Sequence, residues 1–203
     1  MKNAFFVTAS IACGKSTFIQ IANSMGFQSI SADEIAHEIL DQHSLELAQM
    51  FSKFNTKNQK LLKENKKIDR KVLGDIVFNN QKAKKILEDF THPKIRMQIL
   101  EQMQILEKQN KPYFIEIPLF FESKAYENLG KVILIYSPKE LSLERLMKRD
   151  NLNLKAAKER LYSQMDIEEK LKKADLIVKN TGSYADFEKE CIQMIQKISK
   201  GII

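Results

Sequence analysis

The strongest constraint on the fold is a run near the amino end, FFVTASIACGKSTF, spanning residues 5–18. An apolar, strand-like stretch leads into Gly14, Lys15, Ser16 and Thr17, after which Phe18, Ile21, Ala22 and Met25 recur on one helical face. Strand, Gly-Lys-Ser and helix is the order a phosphate-binding loop requires. Backbone N–H groups at a helix N-terminus wrap a phosphate, a lysine bridges the next one, and a hydroxyl ligates the accompanying Mg²⁺. Here those groups are the N–H groups of residues 12–16, Lys15 and Ser16. The pattern GxxxxGK[ST] departs at Ala9, where glycine is favoured, and an alanine forced to positive φ there costs about 1 kcal/mol. Four common residues can follow a strand by chance, but the matching context on both sides argues against that.

Five short runs rich in β-branched, aromatic and aliphatic residues read as strands, at 4–8, 27–31, 113–117, 132–136 and 175–179. The first, third and fourth are apolar at consecutive positions, as expected of strands covered on both faces of a parallel sheet. Helical stretches separate them, so the chain is α/β. From 93 to 109, Ile95, Ile99, Met103 and Leu106 recur at helical spacing, predicting an amphipathic helix that starts at Pro93. Residues 33–90 are too many for one crossover helix and suggest a helical insertion between the second and third strands, with 55–67 its exposed, lysine-rich loop.

With 203 residues, the chain is long enough for one domain carrying an insertion. Lysine and arginine number 33 against 26 acidic residues, and the resulting net charge of +7 favours anionic ligands without choosing among them. Cys13 and Cys191 lie far apart and lack metal-ligand spacing, so they support neither a disulfide framework nor a zinc site and fit a reducing cytoplasm. No stretch is long and apolar enough for a membrane span. The segment ahead of Cys13 mimics a lipoprotein signal, yet its charge is thin and its apolar core short.

Other residues are candidates for chemistry, each with a plainer alternative. Asp33 stands at the carboxyl end of the second strand, the edge where ligands sit in an open α/β sheet. A carboxylate there orients or deprotonates an attacking hydroxyl, or caps the helix over 34–40. Glu116 ends the third strand, either as a Mg²⁺-directed carboxylate or as a surface charge. Arg145 and Arg149 share a helix face, where they clamp phosphate oxygens as a lid or pair with Glu144 or Asp150 in solvent. His92, ahead of Pro93, reads as a cap or packing residue, and His37 and His43 lack partners at ligand spacing. Cys13 lies at a helix N-terminus, which lowers a thiol's pKa, though filling a small-residue slot is the plainer role.

The order of motifs carries a resemblance: the phosphate loop, SADEIAH, IDRKVLGDIVF, THPKIR, IEIPLFFE, RLMKRD and RLYSQMDIEEKLKKADLIVKNTGS. Over nearly its whole length the chain resembles the dephospho-CoA kinase family. That resemblance implies an α/β, P-loop NTPase fold of three α/β/α layers with a five-stranded parallel sheet, a helical CoA-binding subdomain over about 34–110 and a lid over about 142–165. It implies transfer of the ATP γ-phosphate to the 3′-hydroxyl of dephospho-CoA with Mg²⁺, the final step of coenzyme A synthesis, in the cytoplasm.

By resemblance, Ala12, Cys13, Gly14, Lys15, Ser16 and Thr17 bind the ATP phosphates, and Asn180 and Gly182 lie near adenine. Asp33 matches the second aspartate of the family's DAD motif, while Arg70, His92, Pro118 and Glu122 fall on the acceptor side. Arg145 and Arg149 match lid arginines, and Ser16 and Glu116 are the metal candidates. The family's usual TGGIGSGKS reads TASIACGKS here, so three glycines become Ala9, Ser10 and Ala12, and Ser31 replaces the first aspartate of DAD.

The rival readings are another small-molecule kinase of the same fold and a non-catalytic basic protein on a decayed loop. A guanine-specific GTPase is disfavoured, since no NKxD motif occurs. No nucleic-acid or membrane partner is expected, and the oligomeric state stays open between monomer and trimer.

Overall fold

The structure is a computed structural model and describes residues 1–57 and 59–203. Five parallel strands, β1 (Ala4–Ala9), β2 (Gln28–Ser31), β3 (Tyr113–Glu116), β4 (Lys131–Tyr136) and β5 (Leu176–Lys179), lie in the order β2-β3-β1-β4-β5. The helices described are α1 (Lys15–Ser24), α2 (Ala32–Gln42), α3 (Ser44–Ser52), α4 (Arg70–Asn79), α5 (Gln81–Glu107), α6 (Phe120–Ser123), α7 (Lys139–Asp150), α8 (Leu154–Tyr162), α9 (Ile167–Leu171) and α10 (Tyr184–Ser199). The chain forms two compact units, Met1–Ser31 with Gln102–Ile203, and Ala32–Glu101.

In the first unit every residue of β1 is buried, because helices cover both faces of the central strand. Phe5 and Val7 face a core built with Phe18 and Ala22 of α1 and Phe187, Cys191 and Ile195 of α10. Phe6 points the other way, its ring 5.0 Å from that of Phe120 and 5.9 Å from that of Tyr126. Each fully buried phenylalanine contributes on the order of 1.5–3 kcal/mol, so this alternation holds the central strand with both faces loaded. Register places Val7 opposite Glu116. The carboxyl ends of β1 and β3 therefore open side by side, at the strand edge where parallel sheets hold ligands.

The second unit has its own core of Leu47, Phe51, Leu61, Ile68, Leu73, Ile76 and Ala83. The Ser44 hydroxyl accepts the buried Ile68 N–H at 2.8 Å, and Leu62 and Ile68 form an antiparallel bridge. The lysine-rich segment 55–67 is mostly exposed as expected, but Leu61 turns inward; Asn58 lies outside the described residues.

Pro93 does not start a helix, contrary to expectation. It lies inside α5, which begins twelve residues earlier at Gln81. Proline removes one N–H and disfavours a helix interior by about 3 kcal/mol. The apolar stripe explains why the helix continues: Ala83, Ile86, Leu87 and Phe90 pack in the second unit's core before the proline, and Ile99 and Met103 are buried after it. The Lys94 ammonium donates to the Phe90 carbonyl at 3.3 Å. His92 is accordingly an exposed mid-helix residue and caps nothing.

Candidate active site

Between Ala9 and Lys15 the chain turns sharply from β1 into α1. Ala12 adopts φ 62° and Gly14 φ 98°, the left-handed backbone from which anion-binding nests of N–H groups are made. The expected strain at Ala9 is therefore misplaced. Ala9 is the last residue of β1 and keeps negative φ, and the alanine in the left-handed region is Ala12. Gly14 is required for a second reason, since a Cβ there would sit 2.6 Å from the Asn180 amide nitrogen and 2.9 Å from the Phe187 ring.

Ala12→Gly should relieve roughly 1–2 kcal/mol of left-handed strain while adding about 0.4–1 kcal/mol of chain entropy to the unfolded state. The expected net gain of about 0–1.6 kcal/mol raises Tm by up to about 6 °C for a chain of this size. A thermal melt showing a lowered Tm would contradict that strain.

The N–H groups of Lys15, Ser16 and Thr17 open α1 and have no acceptor within the helix. With the positive end of the helix dipole they form a ready anion site. The Lys15 ammonium pairs with the Glu116 carboxylate, and both side chains are mostly buried, 14% and 12% exposed. Ser16 is exposed beside them. The Thr8 hydroxyl donates to the Pro118 carbonyl at 3.1 Å, fastening the end of β1 to the turn after β3.

Cys13 fills a packing slot, the plainer of its two readings, and its pKa is not lowered. Its thiol is 1% exposed and lies 3.3 Å from the Ser142 hydroxyl. Burial pushes its pKa up, outweighing the lowering effect of that hydrogen bond, so the helix N-terminus does not activate it. The Cys191 thiol, buried in the core, is pushed up to about 12. Both are protonated packing groups at neutral pH.

Asn180, after β5, is buried and fastens three elements. Its amide donates to the Cys13 carbonyl at 2.9 Å, its Oδ1 accepts from Arg145 at 3.0 Å, and its own carbonyl accepts from Arg145 at 3.2 Å. Arg145 also donates to Ser137 at 3.3 Å. Arg149, one turn on, forks onto Asp150 at 2.7 and 3.2 Å, and Arg160 joins the same carboxylate at 2.8 Å. These guanidinium groups hold the Asp150 carboxyl below the usual range. The two arginines thus have different partners, and neither pairs with Glu144. Gly182 is exposed in the turn ahead of α10, beside Asp186 and its capping box with Ser183.

Asp33 is not an N-cap. Helix α2 starts at Ala32, so Asp33 lies inside its first turn, exposed, two residues beyond the end of β2. Arg70 is the first, exposed residue of α4, whose cap is Asp69, accepting from the N–H groups of Lys71 and Val72 at 3.0 and 3.3 Å.

Two residues at the loop were not anticipated. Gln164 accepts the Ile11 N–H at 2.9 Å, and Lys170, with no exposed surface, donates to the Ala9 carbonyl at 3.3 Å. Lys170 also pairs with Glu122 at 2.9 Å, and the same Glu122 oxygen accepts the Met165 N–H at 3.0 Å. In IEEKL the helical phase sets Lys170 three residues after the buried Ile167, the one sequence signal of its burial.

A family model described as dephospho-CoA kinase matches residues 5–186. The chain is 75% identical over 201 residues to the dephospho-CoA kinase of Campylobacter jejuni subsp. jejuni serotype O:2, with 99% of each covered. To the enzyme of Helicobacter pylori strain J99 it is 40% identical over 200 residues, with 98% of each covered. A solved structure of dephospho-CoA kinase from Campylobacter jejuni aligns with a TM-score of 0.83 at 74% identity over the whole of both chains. The five-stranded parallel sheet, the loop ahead of α1 and these likenesses agree, and the chain belongs to the dephospho-CoA kinase family.

Proposed function

We propose that the chain transfers the γ-phosphate of ATP to the ribose 3′-hydroxyl of dephospho-CoA, giving CoA and ADP in the cytoplasm. The observation that carries this reading, within a chain of that family, is the Lys15 and Glu116 pair at the carboxyl ends of β1 and β3, beside the open N-terminus of α1. The loop supplies what a triphosphate needs: N–H groups at a helix start, one ammonium and a left-handed turn closed by Gly14.

In this reading the N–H groups of residues 12–16 hold the β-phosphate and Lys15 exchanges Glu116 for the β- and γ-phosphate oxygens. The Ser16 hydroxyl and the Glu116 carboxylate are hard oxygen donors that fit Mg²⁺, which when bound neutralises polyphosphate charge. Asp33 aligns the acceptor hydroxyl; because phosphoryl transfer runs through a loose transition state, its chief contribution is orientation. Arg145 holds Asn180 and with it the adenine-side turn through Gly182, while Arg149 is the arginine nearer the lid tip. Arg70, His92 and Pro118 serve the acceptor side.

A coupled ADP-release assay with dephospho-CoA, run beside AMP, CMP and 4′-phosphopantetheine, tests the reading. Turnover is expected with dephospho-CoA alone and should fall about 10²-fold or more in Asp33→Asn. Equal turnover with another acceptor, or none with any, would overturn it.

A further inference from the structure

The segment from Gln164 to Lys170 links α8 to the end of α9 and touches the phosphate loop twice. Gln164 takes the Ile11 N–H at 2.9 Å, and Lys170 holds the Ala9 carbonyl at 3.3 Å. Glu122 braces the segment from α6 through one oxygen, which meets Met165 N–H at 3.0 Å and Lys170 Nζ at 2.9 Å. A fully buried ammonium is a costly way to fill this space, because apolar side chains of similar volume commonly stabilise as well or better. Stability alone leaves the lysine unexplained. What a methionine in its place could not do is hold a carbonyl oxygen.

The two backbone groups held are those that set the direction of the chain between β1 and the left-handed residue Ala12. They stand where two family glycines are replaced by Ala9 and Ser10. Ile11 N–H lies outside the set that would wrap the β-phosphate, so Gln164 does not compete with nucleotide for it. We propose that Gln164 and Lys170 are positioning residues for ATP: they fix the Ile11 and Ala9 peptide groups and so present the downstream N–H groups to the phosphates. The inference rests on the reading of this loop as the ATP site.

The test is calorimetric binding of MgADP to the wild type, Gln164→Leu and Lys170→Met, an arm that needs no acceptor, followed by steady-state kinetics. Loss of one oriented contact should weaken MgADP binding and raise KM for ATP by about five- to tenfold in each variant, with KM for dephospho-CoA unchanged. A purely structural role would lower Tm and leave both nucleotide constants alone, and that result in folded Gln164→Leu overturns the inference. Gln164 is only half-buried, and its substitution removes the side-chain bond to Ile11 while keeping its backbone bond to Leu161, so its variant is expected to fold even if Lys170→Met does not. Failure of the wild type to bind MgADP would overturn the ATP reading as well, whereas binding without turnover of dephospho-CoA would overturn the acceptor alone.

Discussion

Lys15→Ala should cut kcat by roughly 10²–10³-fold or more while leaving the protein folded. The lysine contributes one ammonium, mostly buried and already beside the loop, so its attraction to a transferring phosphoryl group is little weakened by solvent. Removing it leaves the loop N–H groups to hold the triphosphate alone. Lys15→Arg should not rescue the rate, because a larger planar guanidinium with its donors in a fixed fork does not reproduce one compact ammonium between the β- and γ-phosphates. Steady-state ADP release, paired with a thermal melt to show an intact fold, makes the measurement. Near-normal turnover in folded Lys15→Ala would remove the phosphate loop from the mechanism.

The fold was legible because its three central strands, β3, β1 and β4, are covered on both faces. Ala4–Ala9, Tyr113–Glu116 and Lys131–Tyr136 read as continuous apolar runs, and the observed ends lie within one residue of those expected. The loop was legible because strand, Gly-Lys-Ser and helix are contiguous. Features that depend on contacts distant in sequence were not. Pro93 reads as a helix start by local rules, and only the apolar stripe on both sides of it, packed in a core, keeps the helix going. Strain was expected at Ala9 from a motif position, but the backbone places the left-handed turn three residues later at Ala12.

Lys170 was hidden for a related reason. In IEEKLKK the four charged neighbours Glu168, Glu169, Lys172 and Lys173 all stay in water, yet Lys170 is swallowed whole because Glu122 and the Ala9 carbonyl meet it from 48 and 161 residues away in the chain. Cys13 shows the same limit. Its place at a helix N-terminus is visible in sequence, but the burial that decides its pKa comes from the core it joins, whose members include residues as distant in the chain as Ile135 and Phe187.

Glu122→Leu should be the most destabilising single change at this site. It strands the Lys170 ammonium in a site with no exposed surface, with only a carbonyl left to hold it, and frees the Met165 N–H. Breaking a buried pair costs roughly 3–5 kcal/mol, and the low end applies here because the Glu122 side chain is 22% exposed. At about 2–4 °C per kcal/mol for a chain of this size, Tm should fall by about 6–12 °C. The double variant Glu122→Leu with Lys170→Met removes both charges together, so most of the loss should return, leaving about 1 kcal/mol for the unpartnered Met165 N–H. Scanning calorimetry on the two singles and the double closes the cycle. If the double melts as low as Glu122→Leu alone, the cost comes from lost packing around α6, and the stranded ammonium is not its cause.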